Sequence, residues 1–376
     1  MPLSSPAKGP TVSVVMANKN GGKHLEQAVH SVMNQSLQSI ELVFVDDAST
    51  DDSLKQIRRV AGADPRIRII ARQVSQGAAA ARNDAIARIQ SDWIAICDSD
   101  DVMHPERLDR LLAFAKRKQA CLVADDCIHF SQTPMSGPKT VLGLEHDLEA
   151  QLLTPLDLAQ NSAIGYLKPL IKRSILPDHP YREDLAIGED YQLYLDLVLK
   201  GAALWLCPTA QYLYRRQPGS LSFRSYPDQI AAQIAALRDA AVGSHDAQIQ
   251  DALAARIGQL QQNLAQESFA LAVKHKRIDA MCKLALAEPG PIWSWSKRFL
   301  RSRLARATSA RAPQNRQTVI LDPPTDKDGN AARKYFAELC YQASLGDLEL
   351  IANHETTLSA AWMVPAASRI KHDHAN

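Results

Sequence analysis

The stretch AICDSDD, residues 95–101, ends an apolar run in three acids, Asp98, Asp100 and Asp101. Carboxylates this close repel one another, and their joint ionisation costs stability unless a positive group binds among them. A second acidic pair, Asp46 and Asp47, stands in VDDAST. Asx-turns and helix caps also use acids here, but Ser49 through Asp52 already supply such caps. Arg82 and Asn83 stand in AAAARN, early in a helical pattern. The arginine could pair with a phosphate or with one of the acids, or form a buried salt bridge that fixes a loop. Glu189 and Asp190 stand in GED. A carboxylate within hydrogen-bond reach of a hydroxyl can take its proton as that hydroxyl attacks. The start of a helix favours the ionised form a base needs, though both acids are also simply good first-turn residues. Arg215 and Arg216, in YLYRRQPGSLS, sit beside a Gly–Ser loop. They could stabilise developing negative charge or form a solvated basic loop.

These residues need elements to hold them. TVSVVMAN is a β-branched run suited to a buried strand, and Gly22 to Gln35 turns helical with Leu25, Val29, Val32 and Met33 on one face. IELVFV is a second strand. DDSLKQIRRV reads as a helix with Asp51 and Asp52 in its first turn. RIRIIA, DWIAIC and ACLVADDCIHF supply three more strands. GAAAARNDAIARI and HPERLDRLLAFAKRK, with Pro105 near its start, supply the intervening helices. Strands alternating with helices imply an α/β fold, a mostly parallel sheet with helices on both faces and ligands at the strands' carboxyl ends. Asp46 and Asp47 end the second strand, and Asp98, Asp100 and Asp101 end the fourth.

From Asp147 to Tyr226 the pattern is irregular, apart from a helix from about Asp190 to Lys200 stopped by Gly201 and a strand before Arg215. From Pro227 to about Leu286 it is Ala/Gln-rich and helical. The stretch from Trp293 to Arg316 is rich in arginine and free of acids. Trp293, Trp295 and Phe299 beside Arg301, Arg303, Arg306 and Arg311 suit either an anionic membrane surface or an amphipathic helix with a solvated basic face. The expected organisation is a flexible tail over 1–10, a catalytic domain over 11–226, a helical extension over 227–316, and a partly helical or flexible segment over 317–376.

The 376 residues, 46% of them hydrophobic, suffice for one large domain or two smaller ones. Forty-three basic residues against 41 acidic ones leave a formal charge of +2, so nothing global argues for nucleic acid. None of the six cysteines forms a CxxC pair, which leaves zinc and redox readings without support. Scattered cysteines, a start without the apolar core of a signal peptide, and no apolar run of bilayer length lead us to expect a cytoplasmic protein, peripheral to a membrane at most.

Taken in order, VSVVMANKNGGKHLEQAVHSVMNQS, ELVFVDDASTDDS, QGAAAARNDAI, DWIAICDSDD and GEDYQLYLDLVLKGA resemble the inverting family 2 glycosyltransferases of GT-A fold, over roughly residues 11–225. Within that family the flavour is that of bacterial exopolysaccharide-building transferases. The resemblance implies a nucleotide-diphosphate sugar donor, with uridine expected, and a divalent cation, Mg²⁺ or Mn²⁺, that neutralises the diphosphate through hard oxygen ligands. It assigns Asp100 and Asp101 to the metal and Asp98 to the donor's ribose or sugar. Ala17, Asn20, Asp46, Asp47 and Arg82 fall to the donor site, with Asp47 the candidate partner of the uracil imide N–H. Asp190 is the implied base, with Glu189, Arg215 and Arg216 in support.

The chain departs from the family in four places. It has Ala17 and Lys19 where the family tends to have Pro and Tyr, Ser75 where Asn is usual, and Ala48 where Gly would ease a positive-φ turn. It also lacks the Q-x-x-R-W motif and membrane helices of processive members, so one sugar per visit is expected. The implied acceptor is a glycan, which a lipid-linked form would bring to a membrane. NSAIGYLKPLIKRS is expected to line the acceptor side. Two rivals stand beside this reading. A nucleotidyltransferase would need a better phosphate loop than NKNGGK. A silent nucleotide-sugar-binding scaffold would not need the intact acids and GED.

Overall fold

A computed structural model describes residues 9–62, 64–130, 141–142, 150–215, 226–287, 290 and 292. Arg216, the basic stretch 293–316, the segment 317–376 and nearly all of the 1–10 tail lie outside the described residues. The described chain forms two compact units, the first ending at Arg215 and the second beginning at Tyr226.

The first unit opens as the apolar runs require. β1 (Val12–Asn18), β2 (Ile40–Asp46) and β4 (Trp93–Ile96) are buried almost throughout, as strands covered on both faces must be. β3 (Ile67–Ala71) lies at the edge and is partly exposed. Between them run α1 (Gly22–Met33), α2 (Ser53–Ala61) and α3 (Ala78–Ile86). α1 buries Leu25, Ala28, Val29 and Val32. α3 is buried nearly all round, which its run of alanines permits by close backbone approach. α2 begins at Ser53, after both acids expected in its first turn. Asp51 instead accepts from the N–H groups of Gly22 at 3.1 Å and Ser53 at 3.0 Å, tying the starts of α1 and α2 together.

Beyond β4 come β5 (Val102–Met103), α4 (Arg107–Lys118) and β6 (Leu122–Phe130). The span read as irregular then holds β7 (Gln151–Leu153), α5 (Pro155–Gln160), a 3₁₀ turn (Ser162–Tyr166) and β8 (Leu170–Lys172). A second 3₁₀ turn (Arg173–Ile175), α6 (Glu189–Leu199) and β9 (Leu204–Arg215) complete the unit. α5 starts on a reciprocal cap between Thr154 and Asp157.

The sheet order is β3-β2-β1-β4-β8-β6-β9-β5, with β7 also on β9. β3, β2, β1 and β4 run parallel, as does β6 with β9. β8 enters antiparallel between β4 and β6, and β5 and β7 lie antiparallel on β9. These three strands have only two or three residues each, too few to carry a periodic signal. The chain steps outward from β1 to β2 and β3, then returns to β4 on the other side of β1. The crevice at the carboxyl ends of β1 and β4 is therefore a topological switch point, where open α/β sheets bind ligands.

The second unit is helical, with α7 (Pro227–Gly243), α8 (Ala247–Lys274) and α9 (Ile278–Ala287). α7 packs on α8, and α8 on α9. Among the described residues no helix is long and apolar enough to cross a membrane. Five cysteines are described, all unbridged; Cys97 and Cys127 are buried and Cys282 is exposed.

Candidate active site

The carboxyl ends of β1 and β2 are laced together by their polar residues. Asn18 donates from Nδ2 to Asp46 Oδ1 at 3.0 Å and to Ser49 Oγ at 3.2 Å. The other Asp46 oxygen accepts from the Ser49 N–H at 2.9 Å. Ala48 takes the left-handed turn after all, at φ 55°. The methyl group disfavours that conformation by about 1–2 kcal/mol, a cost the surrounding hydrogen bonds offset. Asn20, also at φ 55°, receives the Thr50 N–H at 2.8 Å and donates its own N–H to Ser49 Oγ at 2.9 Å. Ala17 lies half-buried in β1 opposite Val45 of β2.

Asp47 is committed to the next loop. It accepts from Arg72 Nη1 at 3.0 Å, Ser75 Oγ at 2.6 Å, and the N–H groups of Gln76 at 3.0 Å and Gly77 at 2.9 Å. Burial pushes this carboxyl up. Ser75, the two amides and Arg72 outweigh it, and it lies below the usual carboxylate range. Those four donors match the roughly four lone-pair sites of a carboxylate. Lys19 reaches the same loop, donating to Ser75 Oγ at 2.6 Å.

The acids after β4 divide into two groups. Asp98 faces two buried cations, Arg82 Nη2 at 2.9 Å and Lys168 Nζ at 3.0 Å. Burial alone would raise its carboxyl, but Lys168 and Arg82 draw it down to about 2. Asp100 is pushed up to about 6 by burial and by the Asp98 charge. Asp101, 1% exposed, is pushed up well beyond the carboxylate range by burial and by Asp100 and Asp98. One Asp101 oxygen accepts from the Arg215 N–H at 2.7 Å. Its other oxygen, Oδ2, is buried with no hydrogen-bond partner among the described residues. Arg215 turns its side chain to the Asp100 carbonyl at 2.6 Å and to Gln27 Oε1 at 2.6 Å.

An orphaned buried carboxylate oxygen beside a second carboxyl whose proton affinity is raised by burial and by its neighbour's charge fits a divalent cation. Asp100 and Asp101 would hold it. Among the described residues no three His, Cys, Asp or Glu side chains converge on one point, so the remaining ligands would come from diphosphate oxygens and water.

Across the crevice α6 begins on Gly188, at φ 87°, and presents Glu189 and Asp190 in its first turn. Arg82 donates from Nη1 to Glu189 Oε1 at 2.6 Å and lies 3.4 Å from Asp190 Oδ1. Lys168 donates to Asp190 Oδ2 at 2.7 Å. Arg82 and Lys168 thus bind Asp98, at the end of β4, to Glu189 and Asp190, at the start of α6. Burial and the Asp190 charge raise the Glu189 carboxyl, with Arg82 opposing them. Burial acts against the Lys168 ammonium, yet Asp190 and Asp98 hold it well above the usual lysine range.

Lys168 lies in the segment expected to line the acceptor side, and no motif marks a role for it. One signal was present: a lysine between Leu167 and Leu170, in an otherwise apolar run, is buried only if an acid receives it. α6 is docked on the same segment. Tyr194 donates its hydroxyl to the Leu167 carbonyl at 2.9 Å and Tyr191 to the Leu158 carbonyl at 2.8 Å. Gly165 allows the contact, since a β-carbon there would stand 2.6 Å from Tyr191 Cβ.

A parallel half-sheet with a switch point, joined to a mixed half that carries acids across the crevice, defines a GT-A glycosyltransferase fold. The amino-terminal 349 residues of S. aureus TarS, solved with UDP, superimpose with TM-score 0.52 at 18% identity, over 88% of this chain and 91% of that one. The complex with UDP-GlcNAc gives 0.54 at 17%. Residues 13–156 match the model of glycosyl transferase family 2. Succinoglycan biosynthesis protein ExoO of Rhizobium meliloti is 32% identical over 239 residues, 61% of this chain and 67% of its own length. ExoU of the same organism is 31% identical over 231 residues, 57% of this chain and 65% of its own length. The chain belongs to glycosyl transferase family 2 and is a glycosyltransferase.

Proposed function

We propose that this chain is a non-processive, inverting glycosyltransferase that moves a sugar from a UDP-sugar to a glycan or lipid-linked glycan during cell-surface polysaccharide assembly. The names of relatives support the pathway class: succinoglycan biosynthesis for ExoO and teichuronic acid biosynthesis for the Bacillus subtilis protein TuaG, 31% identical over 197 residues. The ligands of TarS, UDP and UDP-GlcNAc, support the donor class. Residues 11–226 form the catalytic domain in this reading and 227–316 a helical extension. The residue types of the basic aromatic stretch 293–316 suit an anionic membrane surface, where a lipid-linked acceptor would reside.

The observation that carries the chemistry is the asymmetry of Asp190. Lys168 holds Oδ2, while Oδ1 accepts no hydrogen bond among the described residues. That oxygen can take the proton of an acceptor hydroxyl. The hydroxyl oxygen bonds to the anomeric carbon from the face opposite the diphosphate. The bond from that carbon to the diphosphate oxygen breaks, its electron pair leaves with the diphosphate, and the single displacement inverts the centre. A divalent cation at Asp100 and Asp101 would supply positive charge to the leaving group. Asp98 and Arg82 shape the donor end. Arg215 fixes Asp100 and Asp101 from behind, and Arg216 follows it in the chain. Asp46, Asp47, Asn20 and Ala17 shape the donor-side loops, and an Asp47 contact to uracil requires one of its four donors to yield.

The test is Asp190→Asn. We expect UDP release from UDP-glucose and UDP-GlcNAc, with acceptor extracts present, to fall at least about a thousandfold. Mn²⁺-dependent UDP binding, measured by calorimetry, should stay within about threefold because Asp190 is not among the donor ligands. Full activity in this variant would falsify the assignment of the base. A wild-type protein that binds UDP-sugars yet never turns them over would favour a scaffold.

A further inference from the structure

Lys168 lies outside every motif that marks the donor site or the base, is 3% exposed, and spans the two. Its ammonium stands 2.7 Å from Asp190 Oδ2 and 3.0 Å from Asp98 Oδ2. Burying an ammonium is costly, and well-packed apolar residues often replace a buried ion pair without loss of stability. Stability alone therefore does not account for a charged residue here.

The fold holds Lys168 from both sides. The preceding carbonyl, of Leu167, accepts the Tyr194 hydroxyl of α6, the helix that carries Asp190. The Lys168 carbonyl accepts from Arg107 Nη2. Arg107 is fully buried and paired at 2.7 Å with Asp125, itself fully buried. The Arg107 guanidinium also lies 4.9 Å from the centre of the Tyr212 ring, and the Tyr212 hydroxyl oxygen accepts the Asp98 N–H at 3.0 Å. One buried ion pair thus supports both the lysine and the acid it meets. Asp190 is faced by Lys168 from the segment before β8 and by Arg82 from α3. Glu189 adjoins it on its own helix, the phenols of Tyr181 and Tyr194 lie within electrostatic reach, and Asp98 stands beyond Lys168.

We propose that Lys168 is a positioning residue that fixes the Asp190 carboxylate, turned toward the acceptor, and ties it to Asp98 at the donor end of the crevice. The proposal rests on the reading of Asp190 as the base. The ammonium acts through Asp190 and touches neither reacting atom. Its removal leaves Asp190 with only the longer Arg82 contact and with Glu189 beside it. The carboxylate then loses the positive charge nearest it and the bond that fixes its plane.

The experiment compares Lys168→Met, Lys168→Gln and Lys168→Arg with Asp190→Asn in the full chain. UDP release from UDP-glucose and UDP-GlcNAc with Mn²⁺ is followed between pH 5 and pH 9. For Lys168→Met we expect kcat to fall about a hundredfold or more, with KM for the donor within about threefold. The acid limb of kcat/KM should move about one to two pH units higher. Lys168→Gln, which keeps a donor without the charge, should show the same limb shift and serves if the Met variant does not fold. Lys168→Arg should return the limb toward its wild-type position and recover part of kcat. If Asp190→Asn is inactive while the neutral Lys168 variants keep kcat per folded molecule and an unmoved limb, Lys168 is only structural and this inference fails. If Asp190→Asn is itself active, the base reading has failed instead.

Discussion

The docking of α6 makes a prediction that joins packing to chemistry. Gly165 lies in the 3₁₀ turn before Lys168. A β-carbon there would stand 2.6 Å from Tyr191 Cβ, 3.2 Å from its Cα and 3.4 Å from its N. Carbon atoms settle at about 3.5–4.0 Å, so Gly165→Ala forces turn and helix apart by roughly 1 Å. The obstructing atoms belong to the helix backbone and its first side-chain carbon, so no flexible tip can swing away. Overpacking of this kind costs about 1–3 kcal/mol, and the stiffer unfolded chain returns up to about 1 kcal/mol. A net loss of about 1–2 kcal/mol should lower Tm by about 2–8 °C. Catalysis should suffer more, because Tyr191 adjoins Asp190 and a 1 Å displacement of a reacting group costs on the order of a hundredfold. Urea unfolding and UDP release at saturating donor would be measured on the same preparations. A variant with wild-type kcat, whatever its stability, would show that α6 does not set the position of Asp190.

The other predictions concern separate parts of the molecule. Gly258 lies inside α8 with nothing within 4 Å of an added β-carbon, so Gly258→Ala should stabilise the helical unit by about 0.5–1 kcal/mol; lower stability on thermal unfolding would contradict the open space. Burial and the Asp98 charge hold Asp100 protonated up to about pH 6, and a cation must displace that proton. Mn²⁺ should therefore bind about tenfold more weakly at pH 5 than at pH 7, levelling off above, because about a tenth of Asp100 is ionised at pH 5; calorimetry showing equal affinity at both pH values, or the reverse trend, would remove Asp100 from the metal site.

Much of this fold is written in local pattern. Val12–Asn18, Ile40–Asp46 and Trp93–Ile96 announce buried strands because unbroken apolar runs have few other uses. The acids stand out because carboxylates at strand ends need a reason. α6 is legible from its apolar face and from Gly201, which adopts φ 94° after its end. β8 was not legible: three residues gain strand character only by pairing with β4 on one side and β6 on the other, and sequence separation hides both partners. Ala48 carries the same lesson: local sterics speak against its turn, while Asn18 and Asn20, distant in the chain, bond to Ser49 beside it.

The sequence by itself determined which groups are available: five acids at two strand ends, a carboxylate pair at a helix start, and Arg82 between them in the chain. Only the tertiary structure decided how they divide the work. It surrounds Asp47 with four donors, leaves Asp101 with an orphaned oxygen, and threads Arg82 and Lys168 between Asp98 and Asp190. Residue type fixes a charge. Its proton affinity and its aim depend on burial and on partners many residues away, and those exist only once the sheet has closed around them.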